Sequence, residues 1–317
     1  MNLIPPFNFH DVFVAPWRES FPYDCWIVLM GFLVTTACGL IGNYLILRRM
    51  ALVGDAISHS VLPGIAIAFL IAKSRSTLVM FIGALTAGVV TTLLIETIHR
   101  RTRVKQDSAI GIVFSTMFAI GVILISLFAS QVDLDADCVL YGELGLVQIE
   151  PRVQFGGVEI MPESVFVMAI VTLCVVGLIA LFYKELLVSS FDAGLAASLG
   201  IRPGIMHYSL MCALSVVVVS AFQSVGAILV IAMLILPGAT AYLLTHRLPT
   251  MMGLSVVHSA LSSVLGLHLA VWLNCSTAGA MVVAGGALFA LAWIFSPTQG
   301  LAARWLRREA QSYPMPQ

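Results

Sequence analysis

The chain has 317 residues, of which 60% are hydrophobic and only 10% are charged. Soluble domains contain about 25% charged residues, so this composition excludes an ordinary soluble domain and indicates a chain whose main solvent is lipid. The formal net charge is zero at pH 7, which gives no electrostatic basis for binding nucleic acid.

Nine apolar stretches are long enough, or nearly long enough, to cross a bilayer as helices, for which about 20 residues are required. Two of them, 206–222 and 225–245, are closely spaced, so the predicted number of spans is eight to ten, with nine favoured. We therefore predict an all-α, polytopic bundle of transmembrane helices. The predicted spans are 26–47, 53–72, 78–98, 109–129, 165–183, 206–222, 225–245, 251–272 and 276–296.

Basic residues predict the orientation of these spans, because cytoplasmic loops of membrane proteins are enriched in Lys and Arg. With the N-terminus outside, twelve of the 16 basic residues fall on inner segments. We therefore predict that the N-terminus lies outside and the C-terminus inside. The inner residues are Arg48, Arg49, Arg100, Arg101, Arg103, Lys105, Lys184, Arg202, Arg247, Arg304, Arg307 and Arg308, and the outer ones are Arg18, Lys73, Arg75 and Arg152.

This layout divides the chain into an outer N-terminal segment (1–25), a transmembrane domain (26–297) and a cytoplasmic tail (298–317). Within the domain, the outer loop 130–164 is acidic, which is typical of a solvated loop and also fits a docking surface or a cation-attracting rim. The inner loop 184–205 is amphipathic and rich in small residues. That pattern is typical of an interfacial helix joining two spans, and it also suits close docking of a soluble partner.

The stretch V-G-D-A-I-S-H-S-V-L-P-G (53–64) places two ionisable residues in the second span, where such residues are rare and usually functional. Asp55 and His59 are four residues apart, so their side chains share one helix face. A carboxylate beside an imidazole suits Mn²⁺, Fe²⁺ or Zn²⁺, and Ser58 and Ser60 add oxygens nearby. Spacing alone fits equally well with Asp55 or Ser58 capping the helix while His59 bonds to a neighbouring helix.

A proline and a glycine follow this pair at Pro63 and Gly64, and a second L-P-G includes Pro237 and Gly238 in the seventh predicted span. Proline removes a backbone donor and clashes with the preceding turn, so we predict a helix break at both places, along the translocation pathway. Broken spans in both halves of a chain are typical of transporters, although proline kinks also occur in other membrane helices.

Other polar residues in the spans have simpler interpretations. Glu96 lies near Arg100, which predicts a local ion pair. His207, at an inner span end, is expected to interact with headgroups or helix termini. His258 and His268 are ten residues apart and do not share a helix face, so packing roles are favoured for both.

The sequence lacks the motifs of several enzyme classes. It contains no G-x-x-x-x-G-K-[ST], H-E-x-x-H or G-x-S-x-G, which argues against ATP hydrolysis through a P-loop and against a metalloprotease or hydrolase of those types. We predict that the chain is not an enzyme. The six cysteines lack C-x-x-C spacing and mostly lie in apolar runs. They are predicted to be small buried hydrophobic side chains rather than disulfides or zinc ligands.

Four stretches, taken in order, resemble the membrane permease subunits of bacterial ABC importers for manganese, zinc and iron. The resemblance spans roughly residues 25–297, and its first motif is the most distinctive. The chain departs from the family pattern at N-C-S-T-A-G (274–279), where relatives often have an Asp and a Pro-x-Gly. The four stretches are L-V-G-D-A-I-S-H-S-V-L-P-G (52–64), Q-D-S-A-I-G-I-V-F-S (106–115), S-S-F-D-A-G-L-A-A-S-L-G (189–200) and V-G-A-I-L-V-I-A-M-L-I-L-P-G-A-T-A (225–241).

The resemblance implies a permease subunit in the bacterial cytoplasmic (inner) membrane that moves Mn, Zn or Fe into the cell by alternating access. It implies as partners a second permease chain, identical or homologous, two cytoplasmic ATP-binding subunits and an extracytoplasmic metal-binding protein. The metal is cargo, and no permanently bound cofactor is implied.

The resemblance also implies roles for particular residues. The family stretch G-D-A-x-S-H-x-x-L-P-G matches at 54–64, which implies that Asp55 and His59 are pathway metal ligands. The family's coupling segment falls on about 191–200, which implies that Phe191, Asp192 and Gly200 act in coupling to the ATPase.

A proton-coupled secondary cation transporter is the alternative function. In that protein Asp55 and His59 would relay protons, and no ATPase partner would be needed. Neighbouring genes for an ATPase and a metal-binding lipoprotein would favour the importer. An intramembrane enzyme that uses Ser58 and His59 is disfavoured, because adjacent residues on a helix point apart.

Overall fold

A computed structural model describes residues 6–73, 77–128, 144–155, 158–296 and 300 of the chain. Two short helical turns, His10–Val14 and Ala15–Arg18, precede the first long helix. The long and short helices that follow are α1 (Phe21–Leu47), α2 (Val53–Ala72), α3 (Thr77–Arg101), α4 (Gln106–Phe128), α5 (Glu163–Leu181), α6 (Tyr183–Phe191), α7 (Ala193–Ser198), α8 (Pro203–Val225), α9 (Ala227–Leu244), α10 (Leu248–Leu273) and α11 (Thr277–Phe295).

Eight helices among the described residues are long and apolar enough to cross a membrane, namely α1 to α5, α8, α10 and α11. The shorter apolar helix Val230–Leu244, within α9, corresponds to the seventh predicted span, 225–245. Helices satisfy their own backbone hydrogen bonds, which is what lets this many apolar segments cross a bilayer. The prediction of an all-α, multi-pass membrane bundle is confirmed.

Helix α1 is the centre of the bundle. Every residue from Val34 to Leu45 is buried, and Ile41, Tyr44 and Leu45 have no exposed surface. A helix that is apolar on all sides is buried inside a membrane bundle when other helices surround it, and α5, α9 and α10 pack against α1. Small residues permit close contact here, since Ser255, Ser259, Ser262 and Ser263 of α10 are all buried.

The predicted helix breaks at Pro63-Gly64 and Pro237-Gly238 are absent, because α2 and α9 continue through both prolines. Each proline removes one backbone donor, a loss that is tolerated in a bundle of packed helices. Ser255 Oγ of α10 donates a hydrogen bond to the Pro237 carbonyl oxygen (3.3 Å), which joins α10 to α9 at this point. The glycines instead allow close packing. A Cβ on Gly64 would meet the Gly83 carbonyl of α3, and one on Gly238 would lie 2.8 Å from Ile46 Cδ1 of α1.

The N-terminal segment is packed onto the end of α10. Helix α1 begins at Phe21, earlier than the predicted start at 26. His268 Nδ1 donates a hydrogen bond to the Val12 carbonyl (2.8 Å), and Trp17 Nε1 donates to His268 Nε2 (3.3 Å). His268 therefore has a packing role and joins the N-terminal turns to the bundle.

The predicted burial of the cysteines is wrong for most of the described positions. Cys38 is buried, whereas Cys25, Cys174, Cys212 and Cys275 are exposed at the surface of the chain. Lipid is as apolar as a protein core, so an exposed thiol on a span has no solvation penalty to avoid.

The predicted outer loop contains a small hairpin that the sequence did not predict. A 3₁₀ turn (Leu144–Gln148) is followed by antiparallel strands β1 (Arg152–Phe155) and β2 (Val158–Pro162). The Glu150 side chain accepts a hydrogen bond from the Ser164 backbone N–H (3.2 Å), which caps the start of α5. The acidic run 133–137 and Glu143 lie outside the described residues.

Candidate metal site and coupling segment

Asp55 and His59 face each other on one side of α2. Asp55 Oδ1 lies 3.4 Å from His59 Nε2, as the four-residue spacing on a helix requires. The Asp55 side chain is 40% exposed and the His59 side chain 24% exposed, so both reach the surface of the chain. An oxygen and a nitrogen donor thus converge on one accessible point, where a transition-metal ion can bind both.

The pair lies near one end of its span rather than at the middle. Asp55 is in the first turn of α2, and at 1.5 Å per residue His59 lies roughly 9 Å along the helix from Val53. This end of the bundle also contains Arg48, Arg100 and Arg202, at the ends of α1, α3 and α8. We call it the basic end.

The two serines beside the pair point away from it, contrary to the expectation that they add oxygens to the site. Ser58 and Ser60 are almost fully buried. Their hydroxyls donate to backbone carbonyls of their own helix, those of Gly54 (3.0 Å) and Ala56 (2.7 Å). They therefore belong to the packed face of α2.

Aromatic rings from α4 form one wall of the site. The His59 ring lies 5.3 Å from the ring centroid of Phe114 and 6.0 Å from that of Phe118, in both cases edge-to-face. Such contacts hold an imidazole in one orientation and exclude water from one of its sides. Phe114 belongs to the stretch 106–115 noted above, and the sequence had given no role to it.

Among the described residues, Asp55 and His59 are the two candidate metal ligands at this point. The described residues contain no group of three or more His, Cys, Asp or Glu side chains that could hold a metal ion. Protein sites that retain zinc permanently usually have four protein ligands. A two-ligand site suits transient binding, or it is completed by groups from outside this chain.

The predicted coupling loop folds as two short helices separated at Asp192. Asp192 has extended backbone angles, and its Oδ1 accepts hydrogen bonds from the Gly194 and Leu195 N–H groups, both at 2.9 Å. It is therefore the N-cap of α7. Gly200, shortly after α7, has a φ of +81°, a left-handed conformation that favours glycine.

Apolar side chains project from this segment. Phe191, Leu195 and Leu199 are 63%, 51% and 62% exposed. Beside them is a groove of about 520 Å³ that Gly200, Ile201, Pro203 and Tyr208 help to line. Exposed apolar clusters of this kind mark sites of contact with another protein or with the membrane.

A buried polar cluster at the basic end joins helices that are far apart in sequence. Glu96, with only 6% of its side chain exposed, pairs with Arg100 as predicted. It also accepts a hydrogen bond from His207 Nε2 (2.9 Å), and Arg48 Nη1 lies 3.2 Å from His207 Nδ1. The expectation that His207 contacts headgroups or helix termini is therefore wrong. Helical spacing gave no signal for contacts over such sequence separations.

A model of one family matches residues 20–296, almost the whole chain: the ABC 3 transport family. The chain belongs to the ABC 3 transport family. This confirms the resemblance drawn from the four sequence stretches. As an ABC 3 permease with eight apolar spans in its described part, the chain is a multi-pass protein of the bacterial inner membrane.

Named relatives and a solved structure cover nearly all of this ABC 3 chain. It is 45% identical over 285 residues to the manganese transport system membrane protein MntD of Bacillus subtilis, a match spanning 90% of this chain and 96% of that protein. It is 45% identical over 280 residues to the zinc transport system membrane protein TroD of Treponema pallidum, spanning 88% and 76%. The structure of PsaBC from Streptococcus pneumoniae in complex with Fab matches with a TM-score of 0.74 at 32% identity, covering 95% of this chain and 100% of that one.

Proposed function

We propose that the chain is the permease subunit of an ABC importer that carries a divalent transition metal, Mn²⁺, Zn²⁺ or Fe²⁺, into the cell. The observation that carries this proposal is the accessible Asp55–His59 pair, 3.4 Å apart, in a chain of the ABC 3 transport family. Relatives at 45% identity are named for manganese and for zinc transport. Membership of an ABC family also favours ATP-driven transport over the proton-coupled alternative.

Two permease chains are proposed to share the metal pathway. Asp55 and His59 supply two ligands at the surface of one chain, fewer than a stable site needs. A second chain, identical or homologous, would bring its own pair to the same pathway. Weak binding by each pair suits transport, because an ion that is held too tightly is not released. With identical chains this predicts one metal ion per two permease chains at saturation.

The α6–α7 segment is proposed to face the cytoplasm and to dock an ATP-binding subunit. Its support is the exposed apolar cluster of Phe191, Leu195 and Leu199, together with the rigid cap that Asp192 provides. The basic end would then be the cytoplasmic end, in agreement with the distribution of Lys and Arg. An extracytoplasmic metal-binding protein would deliver the ion at the opposite end.

The proposal is tested by purifying the chain with the proteins encoded by neighbouring genes and reconstituting the complex in liposomes. Uptake of radioactive Mn²⁺, Zn²⁺ and Fe²⁺ is measured separately, with and without ATP. We expect uptake of at least one ion to require both ATP and a co-purified ATPase. Uptake driven by a proton gradient without ATP would instead support the secondary transporter.

Replacing Asp192 or Gly200 should uncouple ATP hydrolysis from transport. Asp192→Ala removes two hydrogen bonds that cap a helix of only six residues, at a cost of about 1 kcal/mol. Gly200→Leu forces a left-handed φ on a branched side chain, at a cost of about 1–2 kcal/mol. Hydrolysis and uptake are measured on the same liposomes.

Asp192→Asn is the matched control, because an asparagine side chain also accepts hydrogen bonds at an N-cap. We expect it to remain coupled. Uptake at the wild-type level in Gly200→Leu would exclude a coupling role for Gly200.

A further inference from the structure

Arg48 contacts the proposed docking segment and the transmembrane bundle at the same time. Its Nε donates to Ser190 Oγ (3.0 Å) and its Nη2 to Ser189 Oγ (3.2 Å), and both serines belong to α6. Its Nη1 lies 3.2 Å from Nδ1 of His207 in α8. Arg48 is itself the C-cap of α1, directly after Leu47, so one guanidinium joins three helices.

The hydrogen-bonding role of each His207 ring nitrogen follows from its neighbour. A guanidinium has donors only, so His207 Nδ1 must accept the hydrogen bond from Arg48. The ring proton is then on Nε2, which donates to the Glu96 carboxylate at 2.9 Å. His207 is therefore oriented by both neighbours, and it connects Arg48 to Glu96 of α3.

The cluster is shielded from solvent, which makes its contacts specific. The side chains of Glu96 and His207 are 6% and 12% exposed. Burial lowers the pKa of the Arg48 guanidinium from its usual value, and the nearby Tyr44 and Glu96 oppose that shift. Buried charged groups require partners, so displacement of α6 would leave the Arg48 guanidinium without two of its hydrogen-bond acceptors and destabilise this arrangement.

The backbone after Arg48 leads directly to the metal-ligand pair. Arg49 is left-handed (φ 59°), and the Met50 N–H donates to the Leu45 carbonyl (2.8 Å), which closes a tight helix-ending turn. The Val53 N–H then donates to the Met50 carbonyl (3.2 Å) as α2 begins. Asp55 is in the first turn of α2. A shift of the end of α1 would therefore move the start of α2, and Asp55 with it.

We propose that Arg48, held by His207 and Glu96, is a positioning residue that transmits movement of α6 to the first turn of α2. This inference rests on the proposed function, since it assigns the direction of force from an ATPase at α6–α7 to the Asp55–His59 pair. Arg48 contacts neither the metal nor the ATPase in this account. Its role is to couple the two.

The test measures the number of metal ions transported per ATP hydrolysed. The chain and its co-purified ATPase are reconstituted together, and each variant is compared with the wild type. Arg48→Gln and the double variant Ser189→Ala/Ser190→Ala break the same link from opposite sides. We expect both to lower the ratio about tenfold or more, while ATP hydrolysis persists. Thr97→Ala is the control, because this exposed hydroxyl bonds only to Leu93 of its own helix.

Two variants of His207 separate positioning from simple stability. His207→Gln keeps one donor and one acceptor, so it should retain most of the coupling ratio. His207→Leu removes both and should uncouple. If the ratio of metal transported to ATP hydrolysed stays at the wild-type value in every variant, whether or not both rates fall, the coupling role is excluded.

A second measurement separates this inference from the proposed function. In the purified chain, the melting temperatures of Arg48→Gln, Ser189→Ala/Ser190→Ala and their combination form a double-mutant cycle. We expect the combination to destabilise little more than Arg48→Gln alone, because both break one link. Strictly additive losses in melting temperature would overturn the inference that Arg48 and the two serines form one link. Absence of ATP-dependent uptake in the wild type would instead overturn the proposed function.

Discussion

Asp55→Ala and His59→Ala should each abolish metal uptake while the chain still inserts in the membrane and still associates with its ATPase. In the proposed function this pair supplies the two metal ligands of each chain, with Asp55 Oδ1 and His59 Nε2 3.4 Å apart. Loss of a partner that only orients a metal ligand lowers metal affinity or activity about 10–100-fold. Loss of a ligand itself should therefore reduce uptake by about 100-fold or more. Uptake of radioactive metal ion in liposomes measures the effect.

Ser60→Ala is the matched control for these variants. Its hydroxyl is buried and donates to the Ala56 carbonyl (2.7 Å), on the packed side of the same helix. We expect near-normal uptake from it. Normal uptake by both Asp55→Ala and His59→Ala would rule out the ligand assignment.

Gly64→Ala should destabilise the bundle strongly. A Cβ at this position would lie 2.5 Å from Ala87 Cβ and would meet the Gly83 backbone carbonyl of α3. Backbone atoms of a packed helix have little freedom to move, so the added methyl should cost about 1–3 kcal/mol or more. The melting temperature and the monodisperse fraction of the purified chain measure the loss.

Gly177→Ala provides the comparison for this substitution. Gly177 lies within α5, and a Cβ there would have no neighbour within 4 Å. Alanine is a better helix former than glycine, so this variant should be stabilised by about 0.5–1 kcal/mol. Equal melting temperatures for Gly64→Ala and Gly177→Ala would show that α2 and α3 do not pack as closely as described.

The sequence predicted those features that depend on short spacings along the chain. A charged-residue content of only 10%, together with apolar stretches of about 20 residues, was enough to predict a membrane bundle. The spacing of Asp55 and His59 was enough to place both on one face of α2, because the helical period is fixed by backbone hydrogen bonds. The ion pair of Glu96 with Arg100 followed from the same period.

The features that the sequence did not predict depend on which helices become neighbours. Proline signalled a break at Pro63 and Pro237, yet both helices continue because packing in the bundle outweighs the loss of one hydrogen bond each. His207 and Glu96 are 111 positions apart, and only the packing of α8 on α3 brings them together.

Tertiary structure alone also decided which face of each apolar helix is buried. In a soluble protein, polar residues mark the exposed face, but lipid and protein core are equally apolar, so hydropathy does not distinguish them. Ser58 and Ser60 are buried whereas four cysteines in or near the spans are exposed, the reverse of what polarity suggests. The sequence thus determined that the chain spans the membrane and carries Asp55 and His59 on one helix face. The packing of its helices determined that this face is accessible and that Arg48 contacts both α6 and α8.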